Sequence, residues 1–250
     1  MAEQRVYGFH SIESILQYEP ERILEVWLLD GRQDKRLDAV LTLLSAHGIR
    51  HHKTKREKLD ELAGSSRHQG IVAHCREAPS RNENFLDQLL DGLNEPPFLL
   101  VLDGVQDPHN LGACLRTADA VGVHVVIVPK DNAASLNGTV RKVACGAAET
   151  TPFVTVTNLA RCLRNLKERG IWLVGAAGEV DTNIYDQDMT GPLAVVMGAE
   201  GKGLRRLTRE TCDHLVTIPM PGSVESLNVS VATGVCLYEA LRQRGHCSTA

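Results

Sequence analysis

The sequence predicts an α/β protein, with a small N-terminal α/β module and a larger C-terminal α/β domain whose sheet is mostly parallel with helices on both faces. Three observations predict it. Strand-length apolar runs alternate with helix-length amphipathic stretches along the 250 residues, the pattern of a parallel sheet with crossover helices. A polar, proline-bearing stretch interrupts that alternation once, which divides the chain into a module at 1–76, a linker at 77–97 and a second domain at 98–250. Hydrophobic content of 43% with only 4% aromatic residues suits an aliphatic α/β core.

In the first module, residues 11–16 read as a short helix with Ile12, Ile15 and Leu16 apolar, and 24–29 as a strand. Residues 35–46 read as a helix with Leu37, Val40, Leu41 and Leu44 on one face, ended by Gly48. Residues 69–74 read as a strand. The linker holds Phe85, Leu86, Leu89 and Leu90 at the spacing of a short docking helix, and Pro96 and Pro97 stop it. Beyond it, strands are predicted at 98–102, 123–128, 153–156, 171–175, 193–197 and 215–218. Helices are predicted at 110–121, 136–147, 158–169, 201–211 and 228–244.

The net charge of −4 argues against a uniformly basic nucleic-acid binder, but local runs are basic: residues 50–58, Arg141 with Lys142, and Arg205 and Arg206 with Arg209. Seven cysteines are scattered singly with no C-x-x-C pair, as expected of reduced thiols in a cytoplasmic protein. Cys114, Cys145 and Cys236 lie in apolar patterns and read as small core residues. No run is long enough to span a bilayer, no secretory leader is recognisable at Met1–Arg5, and no His/Cys/Asp spacing asks for a metal.

Three segments carry the chemistry. The run 193–197 opens into Gly198-Ala199-Glu200-Gly201-Lys202-Gly203, and the run 215–218 opens into Pro219-Met220-Pro221-Gly222-Ser223-Val224-Glu225-Ser226-Leu227-Asn228. Loops of this kind after neighbouring parallel strands form one crevice, and small residues let a ligand reach the backbone. Earlier, the run 98–102 leads into Asp103-Gly104-Val105-Gln106-Asp107-Pro108-His109-Asn110-Leu111-Gly112, with Asn110 in the N-cap position of a helix that carries Arg116. A dinucleotide-binding oxidoreductase is the fold rival, but no G-x-G-x-x-G follows the first strand of this domain, and no P-loop is present.

Together these segments resemble the three motifs of the SpoU/TrmH-type RNA ribose 2′-O-methyltransferases. Asn110 and Arg116 match the first, Glu200 within Met197–Gly201 the second, Ser226 and Asn228 the third, in the family's order. Tyr7-Gly8-Phe9-His10 and Arg67-His68-Gln69-Gly70-Ile71 resemble the small substrate-binding domain that some members carry. Lys202 departs from the acidic or neutral residue associated with close relatives.

The resemblance covers nearly the whole chain. It implies a trefoil knot at the C-terminal end, S-adenosylmethionine as cofactor, a homodimer through the last helix and the first-motif helix, and methylation of a guanosine ribose in 23S rRNA, in the peptidyl-transferase region. The same chemistry on tRNA, or a non-catalytic RNA-binding ribosome-assembly role, are the alternatives. It implies a catalytic set of Arg116, Asn110, Glu200, Ser226 and Asn228, and a cofactor wall of Gly175, Met197, Gly198, Gly201, Ile218, Met220 and Leu227. RNA contacts are expected from Lys53, Lys55, Arg56, Arg67, His68 and Gln69. A guanidinium donates protons and does not accept them at neutral pH. Arg116 is therefore expected to orient the ribose or phosphate and stabilise the developing alkoxide, although the family's proposal for it is general base.

Overall fold

The computed structural model describes residues 3–76 and 81–245, and its chain divides into two compact units: Met1–Pro79 with Cys145–Thr150, and Ser80–Ala144 with Thr151–Ala250. The first residues of the expected linker, 77–80, lie outside the described residues.

The first unit runs β1 (Glu3–Tyr7), α1 (Phe9–Tyr18), β2 (Ile23–Leu29), α2 (Lys35–Ala46), β3 (His51–Thr54), α3 (Arg56–Ala63) and β4 (Ile71–Arg76). Its sheet order is β1-β4-β2-β3, antiparallel except for β2 with β3. Phe9, Ile12, Ile15 and Leu16 of α1 and Leu37, Val40 and Leu44 of α2 cover one sheet face, over Val6, Val26, Leu28, Ile71, Ala73 and Cys75. Asp34 caps α2 by accepting from the amides of Arg36 and Leu37, and its carboxyl lies below the ordinary range chiefly through the Leu37 bond.

The second unit runs α4 (Glu83–Gly92), β5 (Phe98–Asp103), α5 (Pro108–Ala120), β6 (Val125–Pro129) and α6 (Gly138–Ala144). After the short helix α7 (Ala147–Thr150) come β7 (Phe153–Val156), α8 (Leu159–Glu168), β8 (Trp172–Ala176), β9 (Leu193–Gly198), α9 (Arg206–Thr211), β10 (His214–Val216) and α10 (Val229–Gln243). All six strands are parallel, in the order β10-β8-β9-β5-β6-β7. The chain therefore builds outward from β5 through β6 and β7, crosses back to β8, and only then inserts β9 between β8 and β5. That reversal places a topological switch point at β5 and β9, where open α/β sheets bind ligands beyond the strands' C-terminal ends. The helix expected in the linker is α4, and its Leu86 and Leu90 join the buried cluster of this unit.

Two predicted helices are shorter than expected. The 136–147 helix breaks at Cys145 and Gly146, whose φ values are +52° and +102°, and its tail becomes α7. The tail belongs to the first unit, where the Glu149 carboxylate accepts from Arg22 Nη1 at 3.2 Å and both side chains are buried. Cys145 is consequently exposed, whereas Cys114 and Cys236 are buried as expected. The 201–211 helix starts only at Arg206, because residues 199–203 turn back on themselves.

Candidate active site

The site is built where β5 and β9 end side by side, with Asp103 opposite Gly198 in the last register position. After Gly198 the chain reverses: the amide of Ala199 donates to the Gly203 carbonyl at 3.1 Å and that of Gly203 to the Ala199 carbonyl at 2.9 Å. A Cβ on Gly198 would lie 2.1 Å from the Gly203 carbonyl carbon, so only glycine allows this reversal. Gly201, at the tip, has φ +72° and open space beside it. The hairpin lifts Glu200 toward α5.

On the other strand, the cap of α5 is Asp107, not Asn110 as the sequence pattern suggested. Asp107 accepts from the His109 amide at 2.9 Å and Pro108, with its fixed φ, occupies the first helical position. Asn110 thus sits in the first turn, buried, with its side chain free to bond across the site. Its Nδ2 donates to Glu200 Oε2 at 3.1 Å, and its Oδ1 accepts from Asn228 Nδ2 at 3.0 Å. Asn228 is the cap of α10, and its Oδ1 accepts from the Ser230 amide at 2.9 Å and the Ser230 hydroxyl at 2.6 Å. One side chain thus both caps α10 and bonds across to Asn110.

This ladder has one polarity. The Ser230 amide can only donate, so the Asn228 oxygen faces it and its NH2 faces Asn110. The Asn110 oxygen then accepts, its NH2 donates to Glu200, and Glu200 takes part as an acceptor. Residues 110, 200 and 228, far apart in the chain, are brought together by the switch-point topology.

Other expected site residues are placed differently. Arg116 is exposed and makes no hydrogen bond or ion pair among the described residues; six residues beyond Asn110, it lies about 9 Å further along α5. Ser226 is exposed and does not join the ladder. Met197 is buried, so its side chain belongs to the core and leaves only backbone to a ligand. Gly175 is demanded by packing: a Cβ there would meet Cys212 Sγ and Leu204 Cδ1 at 2.9 Å. Ile218, Met220 and Leu227 are half-buried along the loop from β10 to α10. Bare backbone at Gly201 and these part-apolar side chains suit a small ligand with an apolar body and hydrogen-bonding edges.

Sequence reasoning missed Asp103 and the bond Arg205 makes to it. Asp103 is wholly buried and accepts from the Arg205 amide at 3.0 Å and from Arg205 Nε. The nearby basic run is largely neutralised, since Arg206 pairs with Glu210 and Arg209 with Glu179. Arg141 is buried while Lys142 is exposed. Burial pushes the Cys114 thiol up to about 11 and those of Cys212 and Cys236 up to about 12, so these groups stay protonated at neutral pH.

In the first unit, Lys53 on β3 and Lys55 and Arg56 at the start of α3 are exposed and without ion pairs among the described residues, as is Arg67. His68 is turned inward, against the expectation of an RNA contact: it is 2% exposed, with Nε2 3.0 Å from Asp60 Oδ1 and Nδ1 accepting from the Gly70 amide at 3.0 Å. Gln69 has φ +59°, and its Oε1 accepts from the Phe9 amide at 3.3 Å, so it braces the loop. Among the described residues no group of three or more His, Cys, Asp or Glu is arranged to hold a metal, and no helix is long and apolar enough to cross a membrane.

An all-parallel sheet whose switch point is crossed by side chains from three separate segments is the arrangement of an α/β ligand-binding site. The chain belongs to the SpoU rRNA Methylase family, whose model matches residues 97–238; a second model, RNA 2′-O ribose methyltransferase substrate binding, matches residues 5–80. It is 60% identical over 240 residues to the 23S rRNA (guanosine-2′-O-)-methyltransferase RlmB of Pectobacterium atrosepticum, covering 96% of this chain and 98% of that protein. Against the protein of the same name from Escherichia coli K12 the identity is 56% over 241 residues, with 96% and 99% covered. The crystal structure of the SpoU methyltransferase AviRb from Streptomyces viridochromogenes, in complex with the cofactor AdoMet, superposes with a TM-score of 0.81 at 27% identity, covering 98% of this chain and 91% of that one.

Proposed function

We propose that this chain transfers a methyl group from S-adenosylmethionine to the ribose 2′-hydroxyl of a guanosine in 23S rRNA, in the peptidyl-transferase region. The observation that carries the reading is the Glu200–Asn110–Asn228 ladder, which ties the three motif segments into one site. Near-complete coverage by relatives named for that reaction supports the rRNA substrate over tRNA, and the substrate-binding match at residues 5–80 supports an RNA substrate.

When bound, S-adenosylmethionine supplies an electrophilic methyl carbon. The chain's residues hold the other reactant in line and manage its proton. The half-buried Ile218, Met220 and Leu227 and the backbone at Gly198 and Gly201 form the cofactor wall. Asn110 and Asn228 set the orientation of Glu200. Arg116, free of partners among the described residues, donates to the ribose or its phosphate and stabilises the oxyanion as it forms. Lys53, Lys55, Arg56 and Arg67 meet RNA phosphates. Gly175 and His68 leave the list of contacts and serve packing and loop geometry instead.

The chain acts as a two-fold dimer in the cytoplasm. Val231 and Tyr238 are 52% and 53% exposed on α10, while Val229, Thr233, Cys236, Leu237 and Ala240 of the same helix are buried within the unit. A helix apolar on its outer side as well calls for a partner there. Sedimentation gives a mass near twice 27.3 kDa on this reading. We also propose the trefoil threading that the family resemblance implies; it is compatible with β10 at the sheet's edge and α10 packed against α5 and β9.

Calorimetry with S-adenosylmethionine and with NADH tests the cofactor. Binding of the first and not the second is expected, and the reverse result would remove the methyltransferase reading.

A further inference from the structure

We propose that Asp103 and Arg205 form a positioning pair that holds Glu200 in register with Asn110, an inference that rests on the methyltransferase reading of this site. Asp103 closes β5 and has no exposure to solvent. A carboxylate so placed is costly to bury unless its oxygens are hydrogen-bonded. Both are, and by a single residue: the Arg205 amide donates to Oδ2 and Arg205 Nε to Oδ1. One donor is main chain, so the bond fixes the path of the backbone and not only a side-chain conformer.

That backbone is the exit of the Glu200 hairpin. Gly198 enters it opposite Asp103 in the sheet register, the reciprocal Ala199 and Gly203 bonds close it, and Arg205 leaves it hydrogen-bonded to Asp103. The hairpin therefore starts beside Asp103 in the sheet and ends bonded to it. Asp103 is also joined, along the loop that leads into α5, to Asn110, the partner of Glu200. The links form a closed ring: Asp103, Arg205, the hairpin, Glu200, Asn110, and back along the start of α5 to Asp103. Loss of the Asp103 bond opens the ring on the side opposite the Glu200–Asn110 contact. Neither residue of the pair is a member of the ladder, so the pair acts through Glu200.

The test is Asp103→Asn on the full chain, which keeps the shape but turns an NH2 toward one of the two donors. Two readouts are taken. Amide hydrogen exchange without substrate is expected to quicken about tenfold or more at Ala199 and Gly203, whose amides close the hairpin, while that at Leu100 and Val195 in the strands stays as in the wild type. Methylation is then measured in a cycle with Glu200→Gln. Asp103→Asn is expected to lower kcat/KM about tenfold or more in the wild-type background and less than about twofold when Glu200 is already Gln.

Unchanged exchange in the hairpin overturns the inference, and so does an equal loss of kcat/KM in both backgrounds. Arg205→Ala, at a half-exposed position, carries the same two readouts if Asp103→Asn does not fold, with a smaller effect because the main-chain bond survives. A wild-type chain that methylates no RNA defeats the functional reading alone. Exchange in the hairpin still decides whether the pair positions Glu200.

Discussion

Replacing Asn110 by Asp reverses the donor at the middle of the ladder and makes stability depend on pH in a calculable way. In the wild type Asn110 Nδ2 donates to Glu200 Oε2 across 3.1 Å. In Asn110→Asp two carboxyl oxygens face each other there. At an effective dielectric of about 20, two unit charges at roughly that separation repel by about 5 kcal/mol. Glu200 is exposed, and solvent screening reduces this to about 2 or 3 kcal/mol. Loss of a hydrogen bond to a charged group adds about 1.5 kcal/mol or more. Both penalties apply only when both carboxyls are ionised. In acid the pair shares a proton, and the protonated carboxyl introduced at position 110 donates to Glu200 as the asparagine does. The variant is therefore expected to lose about 3.5 to 4.5 kcal/mol relative to the wild type at pH 8 and to regain most of it at pH 5. Urea unfolding at the two pH values measures it, with Asn110→Ala as the control that loses the bonds without gaining a charge. If Asn110→Asp matched the wild type at pH 8, or lost equally at both pH values, the assigned polarity of the ladder would be wrong.

Arg116→Ala is expected to lower turnover about a hundredfold or more with cofactor affinity nearly unchanged, and Arg116→Lys to restore little because the planar fork is lost; single-turnover kinetics with calorimetry separates the two. Neutralising Lys53, Lys55 and Arg56 is expected to flatten the salt dependence of RNA binding by about 2 in the log–log slope, measured by filter binding. The Glu239 carboxyl on α10 lies below its ordinary range, chiefly because Arg242 donates to it. Its contribution to stability is complete above the usual carboxylate range and is lost as pH falls through the lowered value, so Glu239→Gln flattens the acid limb of the stability curve measured by urea unfolding.

Much of the second unit was legible because its strands are fully buried apolar runs, and length with flanking glycine separates these from helix. The motif loops were legible for the same reason, since each follows such a run. The first unit was harder to read. β3 is an edge strand of His51, His52, Lys53 and Thr54, with no apolar alternation, so it read only as part of a basic run. β1 buries Val6 alone. The helix cap at Asp107 was hidden because Asn110 is an equally good capping residue by type, and only Pro108 distinguishes them. His68 looked like an RNA contact because its partners, Asp60 and the Gly70 amide, are supplied by the fold. The Asp103–Arg205 bond spans 102 positions and leaves no local pattern.

The three segments joined at Asn110, Glu200 and Asn228 form, on this reading, a site that methylates a guanosine ribose of 23S rRNA. Ribose-methylation mapping of 23S rRNA tests it most directly, in cells lacking this gene and supplied with the wild-type chain, Arg116→Ala or Glu200→Gln. One guanosine 2′-O-methyl group is expected to disappear with the gene, to return with the wild-type chain and to stay absent or strongly reduced with either variant. A methyl group unaffected by loss of the gene, or restored in full by both variants, would contradict it.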